Sequence, residues 1–157
     1  EVCLKGPDAL EAVAIAANGA HAVVVSEQGD LWLLHLEANR FSHLGSRSLG
    51  GLPQSEALCF APRHGEVLVG VGCYVCVVDV WSHRVVERLT GHHYKVTSLD
   101  SSLSRAVVLS MSREAAFTWD AALWARMQAF TAGVSAFTVA RLGQGRGETV
   151  ATLASDK

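Results

Sequence analysis

Short runs of apolar, mostly β-branched residues alternate with turn-forming residues along almost the whole chain. The clearest example begins with residues 75–80, continues through a turn at 81–84, and returns as the apolar residues 85–89 before Gly91-His92. Val, Ile and Thr favour strands, whereas Gly, Asn and Asp favour turns. The pattern therefore predicts an all-β chain that is built from hairpins.

The predicted strands form groups of four that repeat along the chain. Asp79 and Asp120 close equivalent strands and lie 41 residues apart, and His35 lies 44 residues before Asp79. Both spacings match a four-stranded repeat of about 40–45 residues. The predicted repeats cover residues 10–49, 55–89, 91–130 and an incomplete 133–157.

The composition of the strands predicts how these repeats pack. The inner strands of each repeat are nearly continuous apolar runs, whereas an outer strand such as residues 40–49 is polar. Strands have this composition when both faces of their sheet are covered and only the outer edge meets water. Three and a half repeats leave two apolar faces uncovered. We expect the remaining repeats of a larger ring, or else a partner chain, to cover them, and we favour the first.

Three dipeptides resemble motifs of the WD40-repeat β-propeller family. In that family Trp-Asp closes the third strand of a repeat and Gly-His opens the next repeat. The matching residues here are Val78-Asp79, which keeps only the Asp, Gly91-His92, and Trp119-Asp120. The resemblance covers nearly the whole chain and implies a WD40-like β-propeller segment of about three and a half four-stranded blades. Such a segment would be part of a ring of about seven blades.

The same resemblance implies a buried polar network in each well-formed blade. It joins the His of Gly-His, a Ser or Thr on the second strand, an Asp in the next turn, and the Trp of the third strand. In the third repeat Arg113-Glu114 stands where this Asp is usual. The residues that the resemblance marks as structural are Asp79, Gly91, His92, Ser110, Trp119, Asp120 and Asp156.

Composition limits the classes of function. The 157 residues include 13 Lys or Arg and 15 Asp or Glu, so the net charge is −2, and we expect no binding of nucleic acid. Half of the residues are apolar, which favours a folded chain. The longest apolar run, residues 67–78, is too short and too rich in Val and Gly for a membrane helix, so we expect no membrane insertion. The chain lacks an initiating Met, and we expect a fragment.

The cysteines favour reduced thiols over disulfides or a metal site. Cys3, Cys59, Cys73 and Cys76 all lie in apolar, strand-like segments. Residues i and i+3 of a strand point to opposite faces, so Cys73 and Cys76 would diverge, and a second pair of zinc ligands is not evident. We therefore expect buried free thiols.

An enzyme is the main alternative interpretation of the polar residues. His92 could act as a base and Ser110 as a nucleophile, but a serine hydrolase needs an orienting acid and a turn such as G-x-S-x-G. His92 and His93 are adjacent, so they would face opposite ways and could not share a metal. The glycine-rich residues 143–147 lack the Lys-Ser/Thr ending of a phosphate-binding loop. We therefore predict no catalytic, cofactor-binding or metal-binding residue.

The turns offer candidates for contact with a partner. Trp81 and Trp124 follow Asp79 and Asp120 in equivalent turns, where an aromatic side chain is more exposed than in a strand, and Arg84 lies beside them. The resemblance implies a non-enzymatic scaffold that binds other proteins in a larger intracellular assembly, whether cytoplasmic, cytoskeletal, ciliary or nuclear. The alternative is a self-contained β-sandwich with a hydrolase-like His/Ser site, which would be a stable monomer.

Overall fold

A computed structural model describes residues 10–16, 19–45, 57–63, 65–131, 136–142 and 150–155. This part of the chain contains strands and turns and no helix, which confirms the all-β prediction. The strands are β1 (Leu10–Ile15), β2 (His21–Ser26), β3 (Leu31–His35), β4 (Arg40–Gly45), β5 (Leu58–Phe60), β6 (Glu66–Val71), β7 (Tyr74–Asp79), β8 (Arg84–Leu89), β9 (Val96–Ser102), β10 (Val107–Ser112), β11 (Ala115–Asp120), β12 (Ala125–Thr131), β13 (Ala136–Leu142) and β14 (Val150–Ser155).

The strands form four antiparallel sheets in chain order. Strands β1–β4, β5–β8 and β9–β12 each form a four-stranded sheet in which every strand pairs with its neighbours in sequence. Strands β13 and β14 form a two-stranded sheet. The short hairpin turns explain this order, because consecutive antiparallel strands need only a few connecting residues.

The three four-stranded sheets repeat one another in their hydrogen bonds. In each, the residue after the third strand donates its backbone N–H to the carbonyl of the residue before the second strand. The three bonds are Leu36 N to Ala20 O at 3.0 Å, Val80 N to Gly65 O at 2.8 Å, and Ala121 N to Ala106 O at 2.8 Å. This recurrence aligns His35, Asp79 and Asp120 with one another.

The sheets pack face to face around their first strands. Strand β1 lies against β5, β5 against β9, and β9 against β13. The middle sheet is buried on both faces, because alternate residues of β6 and β7 point to opposite sides. Val67, Val69 and Val78 pack toward the first sheet, while Leu68 and Val77 pack toward the third. The core therefore consists of two apolar layers, one on each side of the middle sheet.

Burial is greatest in the middle strands of the four-stranded sheets, and the fourth strands of the second and third sheets are mostly exposed. Strand β12 is exposed at all seven positions, and β8 is exposed at four of six. The fourth strands are sheet edges, and polar side chains there discourage pairing with other chains. This pattern confirms the predicted polar outer strands.

Several predictions differ from the structure or lie outside its described part. The predicted strand at residues 40–49 is described only as Arg40–Gly45. The predicted repeat limits at residues 49, 55, 133 and 157, together with Asp156, Cys3 and residues 143–147, lie outside the described residues. The described part of the chain contains no helix that is long and apolar enough to span a membrane.

The prediction that the cysteines are buried is wrong for Cys73. Cys76 is buried and Cys59 is partly buried, but Cys73 is exposed, and all three are free thiols. Cys73 follows Gly72 in the turn between β6 and β7 instead of lying within a strand, so its side chain meets solvent. Burial raises the pKa of the Cys76 thiol, which favours its uncharged form.

Candidate functional site

A buried chain of hydrogen bonds lies between the second and third sheets. His92 reaches it from the connection between β8 and β9, and Ser110 and Ser112 reach it from one face of β10. The imidazole Nε2 lies 2.8 Å from Ser110 Oγ, and Nδ1 lies 3.0 Å from Ser112 Oγ. The Trp119 indole on β11 donates to Ser110 Oγ at 2.8 Å. The structure thus brings together the predicted residues His92, Ser110 and Trp119.

The donors and acceptors of this network can be assigned from the groups at its two ends. An indole N–H can only donate, so Ser110 Oγ accepts from Trp119 and its own proton remains available for His92 Nε2. At the other end, Ser112 Oγ donates to the carbonyl of Ala115 at 3.3 Å. Ser112 Oγ then accepts from His92 Nδ1–H. This order assigns the neutral Nδ1–H tautomer to His92.

The surroundings of His92 favour the same neutral form. Burial is the main cause that lowers its pKa to about 4, and Arg126 adds to the effect. The Phe117 ring stacks on the imidazole with centroids 4.2 Å apart, and the Arg126 guanidinium lies 5.0 Å from the centre of that ring. Gly91 has φ of +138°, and a methyl group on it would lie 3.0 Å from Arg126 Nη1. A glycine is therefore required before the histidine.

The geometry of this network does not supply an accessible nucleophile. Ser110 is fully buried, and its hydroxyl is engaged by both Trp119 and His92. A serine hydrolase instead holds the imidazole with an acid and presents the serine oxygen to substrate. His92 hydrogen bonds to two serines, so its orienting partner is Ser112 and not a carboxylate.

Ser112 is the residue of this network that sequence reasoning missed. Arg113-Glu114 replaces the usual turn Asp, and Ser112 binds the imidazole Nδ1 from the strand instead. The available signal was the spacing of Ser110 and Ser112, because residues i and i+2 of a strand share a face. That spacing alone does not show whether Ser112 hydrogen bonds to His92 or is simply another buried serine, because the position of His92 is not known from the sequence.

Asp79 and Asp120 hold the turns that follow β7 and β11. Asp79 Oδ1 accepts the backbone N–H groups of Trp81 at 3.0 Å and Ser82 at 2.6 Å. Asp120 Oδ1 accepts those of Ala122 at 2.7 Å and Leu123 at 3.0 Å. The hydrogen bond from the Ser82 backbone is the main cause that lowers the pKa of Asp79. In the first sheet, His35 takes this place and lies 3.1 Å from Ser42 Oγ.

The two turn tryptophans have different environments. Trp124 has φ of +54° at the last residue of its turn, and its half-buried ring packs against the core between the second and third sheets. Trp81 is 56% exposed and meets His21 edge to face at 6.0 Å. Arg84 is exposed at the start of β8. Of the candidate contacts, Trp81 and Arg84 are open to solvent, whereas Trp124 contributes to the core.

A cleft of about 670 Å³ opens beside Trp81, at the edge where the turns of three sheets meet. Its walls come from the end of β1, the turns that follow β5 and β7, and the turn that follows β9. Ile15, Arg63, Asp100 and Leu103 are among the residues that line it with Trp81. Sequence reasoning named Trp81 but did not place the other four residues near it.

The two adjacent histidines lie in different environments. His92 is buried, whereas His93 is exposed, as expected for adjacent residues that point apart. Among the described residues no group of three His, Cys, Asp or Glu side chains is placed to hold a metal ion.

Comparisons with known proteins identify the fold. No family model matches the sequence, and no curated protein matches it. Among solved structures, the WD40 repeats of RRP9 align with a TM-score of 0.76 at 12% identity, covering 87% of this chain and 43% of that chain. U3-55K aligns with the same score and identity, covering 87% of this chain and 44% of that one.

This chain therefore spans less than half the length of these two solved chains. At 12% identity the likeness concerns the fold. Each neighbour supports the strand order and the face-to-face packing described above. Taken with that geometry, the likeness shows that this chain has the fold of a WD40-repeat β-propeller.

Proposed function

We propose that this chain is part of a non-enzymatic WD40-type scaffold that binds other proteins. The observation that supports it best is the distribution of polar and apolar groups. The His and Ser side chains that could have formed a catalytic pair are buried and hydrogen bonded to each other. Large apolar side chains are instead exposed where the turns of the sheets meet. Exposed apolar groups on a rigid framework are typical of protein contacts.

The uncovered face of the first sheet supports a larger ring. Leu10, Val13 and Ile15 of β1 are exposed, although their counterparts in the middle sheet pack against neighbours. A propeller blade needs an adjacent blade on each face, and the solved neighbours are about twice as long as this chain. We propose that further blades of the same ring cover these faces, with a partner chain as the alternative. The four repeats at 10–49, 55–89, 91–130 and 133–157 would be its blades.

The proposed setting is a protein assembly inside the cell. The net charge of −2 is unsuited to binding a phosphate backbone, which supports protein partners over nucleic acid. The proposed structural positions are Asp79, Gly91, His92, Ser110, Trp119, Asp120 and Asp156, and the proposed exposed contacts are Trp81 and Arg84.

A single substitution separates the scaffold from the hydrolase alternative. Ser110→Ala removes the hydroxyl that joins Trp119 to His92, so the scaffold hypothesis expects a lower melting temperature. The matched control is Thr90→Ala, since Thr90 is an exposed hydroxyl residue in the connection between β8 and β9. Esterase activity that Ser110→Ala abolishes, with an unchanged melting temperature, would overturn the proposal.

A further inference from the structure

We propose that the cleft beside Trp81 binds a short peptide segment of a partner protein, in which a bulky apolar side chain is flanked by a carboxylate. The inference rests on the proposed scaffold function and names the site and the chemistry of the partner. Nothing in the sequence pattern assigns this cleft. Three independent features support it: exposed apolar walls, a rigid floor and a cation at the rim.

The walls of the cleft are apolar side chains that solvent reaches. Trp81 is 56% exposed and Leu103 is 58% exposed, and they lie in turns of different sheets. Isolated apolar residues on a surface would need no explanation, but these two line one concavity together with Phe60 and form a contiguous patch. This patch is suited to a bulky apolar side chain.

The floor and one wall are held in place by contacts between sheets. Ser101 Oγ on β9 donates to the carbonyl of Phe60 on β5 at 2.6 Å, which joins the second and third sheets below the cleft. The Trp81 indole lies on Gly65, where φ is +83° and where any added methyl group would overlap the ring. Rigid walls reduce the entropy that is lost when a ligand binds.

The charges at the rim favour an acidic ligand. The Arg63 side chain is half exposed, and its ion pair with Glu66 spans 3.8 Å, which is longer than a hydrogen bond. The nearby carboxylates accept hydrogen bonds from the backbone. Asp79 accepts two backbone N–H groups, and Asp100 accepts the backbone N–H of Ser101 at 2.9 Å. Arg63 can therefore bind an incoming carboxylate in a forked geometry.

The size of the cleft fits a short peptide segment. A volume of about 670 Å³ lies within the range of roughly 300–1,000 Å³ for small-ligand sites and accommodates a few side chains. A nucleic acid is disfavoured because a phosphate backbone needs several cations, whereas Arg63 is the one Lys or Arg among the residues that line the cleft, and the chain has a net charge of −2. The backbone of an extended peptide can also hydrogen bond to polar groups of the cleft wall.

The test is to pan a phage-displayed library of random dodecapeptides against the whole protein. Enriched peptides are then synthesised with a fluorescent label and titrated by anisotropy. We expect peptides with Asp or Glu beside Trp, Phe or Leu. Arg63→Glu and Trp81→Ala should each weaken their binding at least tenfold.

Two matched variants control for general effects of charge and apolar surface. Arg113→Glu changes an exposed cation in the turn between β10 and β11, and Leu123→Ala removes an exposed apolar side chain from the turn equivalent to that of Trp81. Both should leave the affinity within twofold of the wild-type value. Melting temperatures identify any variant that fails to fold, and Leu103→Asp is a second disruption of the wall at an exposed position.

Different experimental outcomes would overturn the peptide site and the scaffold function. An absence of enriched peptides, a basic consensus, or binding that is insensitive to Arg63→Glu, Trp81→Ala and Leu103→Asp would overturn the cleft as a peptide site. Protein partners that still bind those three variants would then leave the scaffold function standing. Esterase turnover that depends on Ser110 would overturn the scaffold function instead.

Discussion

The middle sheet contacts the first sheet through apolar side chains, but it contacts the third sheet through a polar and aromatic network, although the residues involved occupy equivalent strand positions. The register of the strands aligns Asp79 with Asp120. Positions that face the preceding sheet are then apolar in the second sheet and polar or aromatic in the third. The corresponding residues are Val69, Val71 and Val78 in the second sheet and Ser110, Ser112 and Trp119 in the third.

This difference shows that burial does not determine the chemistry of an interface. Apolar contact is non-directional and stabilises any close packing of two sheets. The network around His92 requires each donor to meet its acceptor, so it also determines where the connection between β8 and β9 lies on the third sheet. The apolar interface contributes buried surface alone, whereas the polar interface contributes buried surface and also restricts the relative position of the two sheets. The predictions below test this division, from the largest expected effect to the smallest.

Loss of the indole should have the largest effect. Trp119→Ala creates a cavity and removes the donor to Ser110, so we expect the free energy of unfolding to fall by about 3–5 kcal/mol. Val78→Ala removes less volume at the equivalent apolar position, and we expect a loss of about 1–2 kcal/mol. Urea denaturation of the whole protein measures both. Equal losses would contradict the proposed difference between the interfaces.

A polar residue in the apolar interface should also be costly. Val69→Ser places a hydroxyl at a fully buried position, and the sequence between β4 and β5 contains no His that could act as His92 does. We expect a loss of about 2–3 kcal/mol from the removed methyl groups and the buried hydroxyl. Val86→Ser on the exposed strand β8 is the control and should change the melting temperature little. A tolerated Val69→Ser would mean that the apolar interface is hydrated.

The polar interface alone should respond to pH through His92. The folded state lowers the pKa of this imidazole to about 4 from the ordinary value of 6.5. The unfolded chain binds the proton first, so stability is intact above pH 6.5 and is lost as the pH falls toward 4. We expect a contribution of roughly 2 kcal/mol between pH 7 and pH 4.5.

The control for this pH effect is His92→Gln, which keeps hydrogen-bonding capacity without a titratable ring. The carboxylates titrate alike in both proteins, so the difference between their urea denaturation curves isolates His92. A wild-type protein whose stability follows that of the variant at every pH would show that His92 is not buried in its neutral form.

Substitutions in the turns should have the smallest effect on the stability of the fold. Asp120→Ala removes the acceptor for two backbone N–H groups, so we expect a loss of about 1 kcal/mol. Asp120→Asn keeps an acceptor oxygen and should retain most of the melting temperature. Since the first sheet has His35 in this place, an Asp-dependent turn should be absent there, and His35→Ala should have a smaller effect than Asp120→Ala.

Part of the candidate site could be predicted from the sequence, and part could not. His92, Ser110 and Trp119 were expected to meet because their motifs resemble those of the WD40 family, in which the matching residues form a network. Ser112 was not, because its role depends on where the connection before β9 lies. The difference between Trp81 and Trp124 could not be predicted either, because both follow an Asp in equivalent turns, yet Trp81 is 56% exposed whereas Trp124 is partly buried against the core.

The sequence by itself determined the strands, their hairpin order and the period of the repeat. These features depend on residues that are close along the chain, where β-branched runs and turn-forming residues act locally. Only the tertiary structure decided which buried groups meet and which surface is concave. Ile15, Trp81 and Leu103 share one cleft because three sheets stack with their turns at a common edge. Such packing depends on residues that are distant in the chain, and no local pattern encodes it.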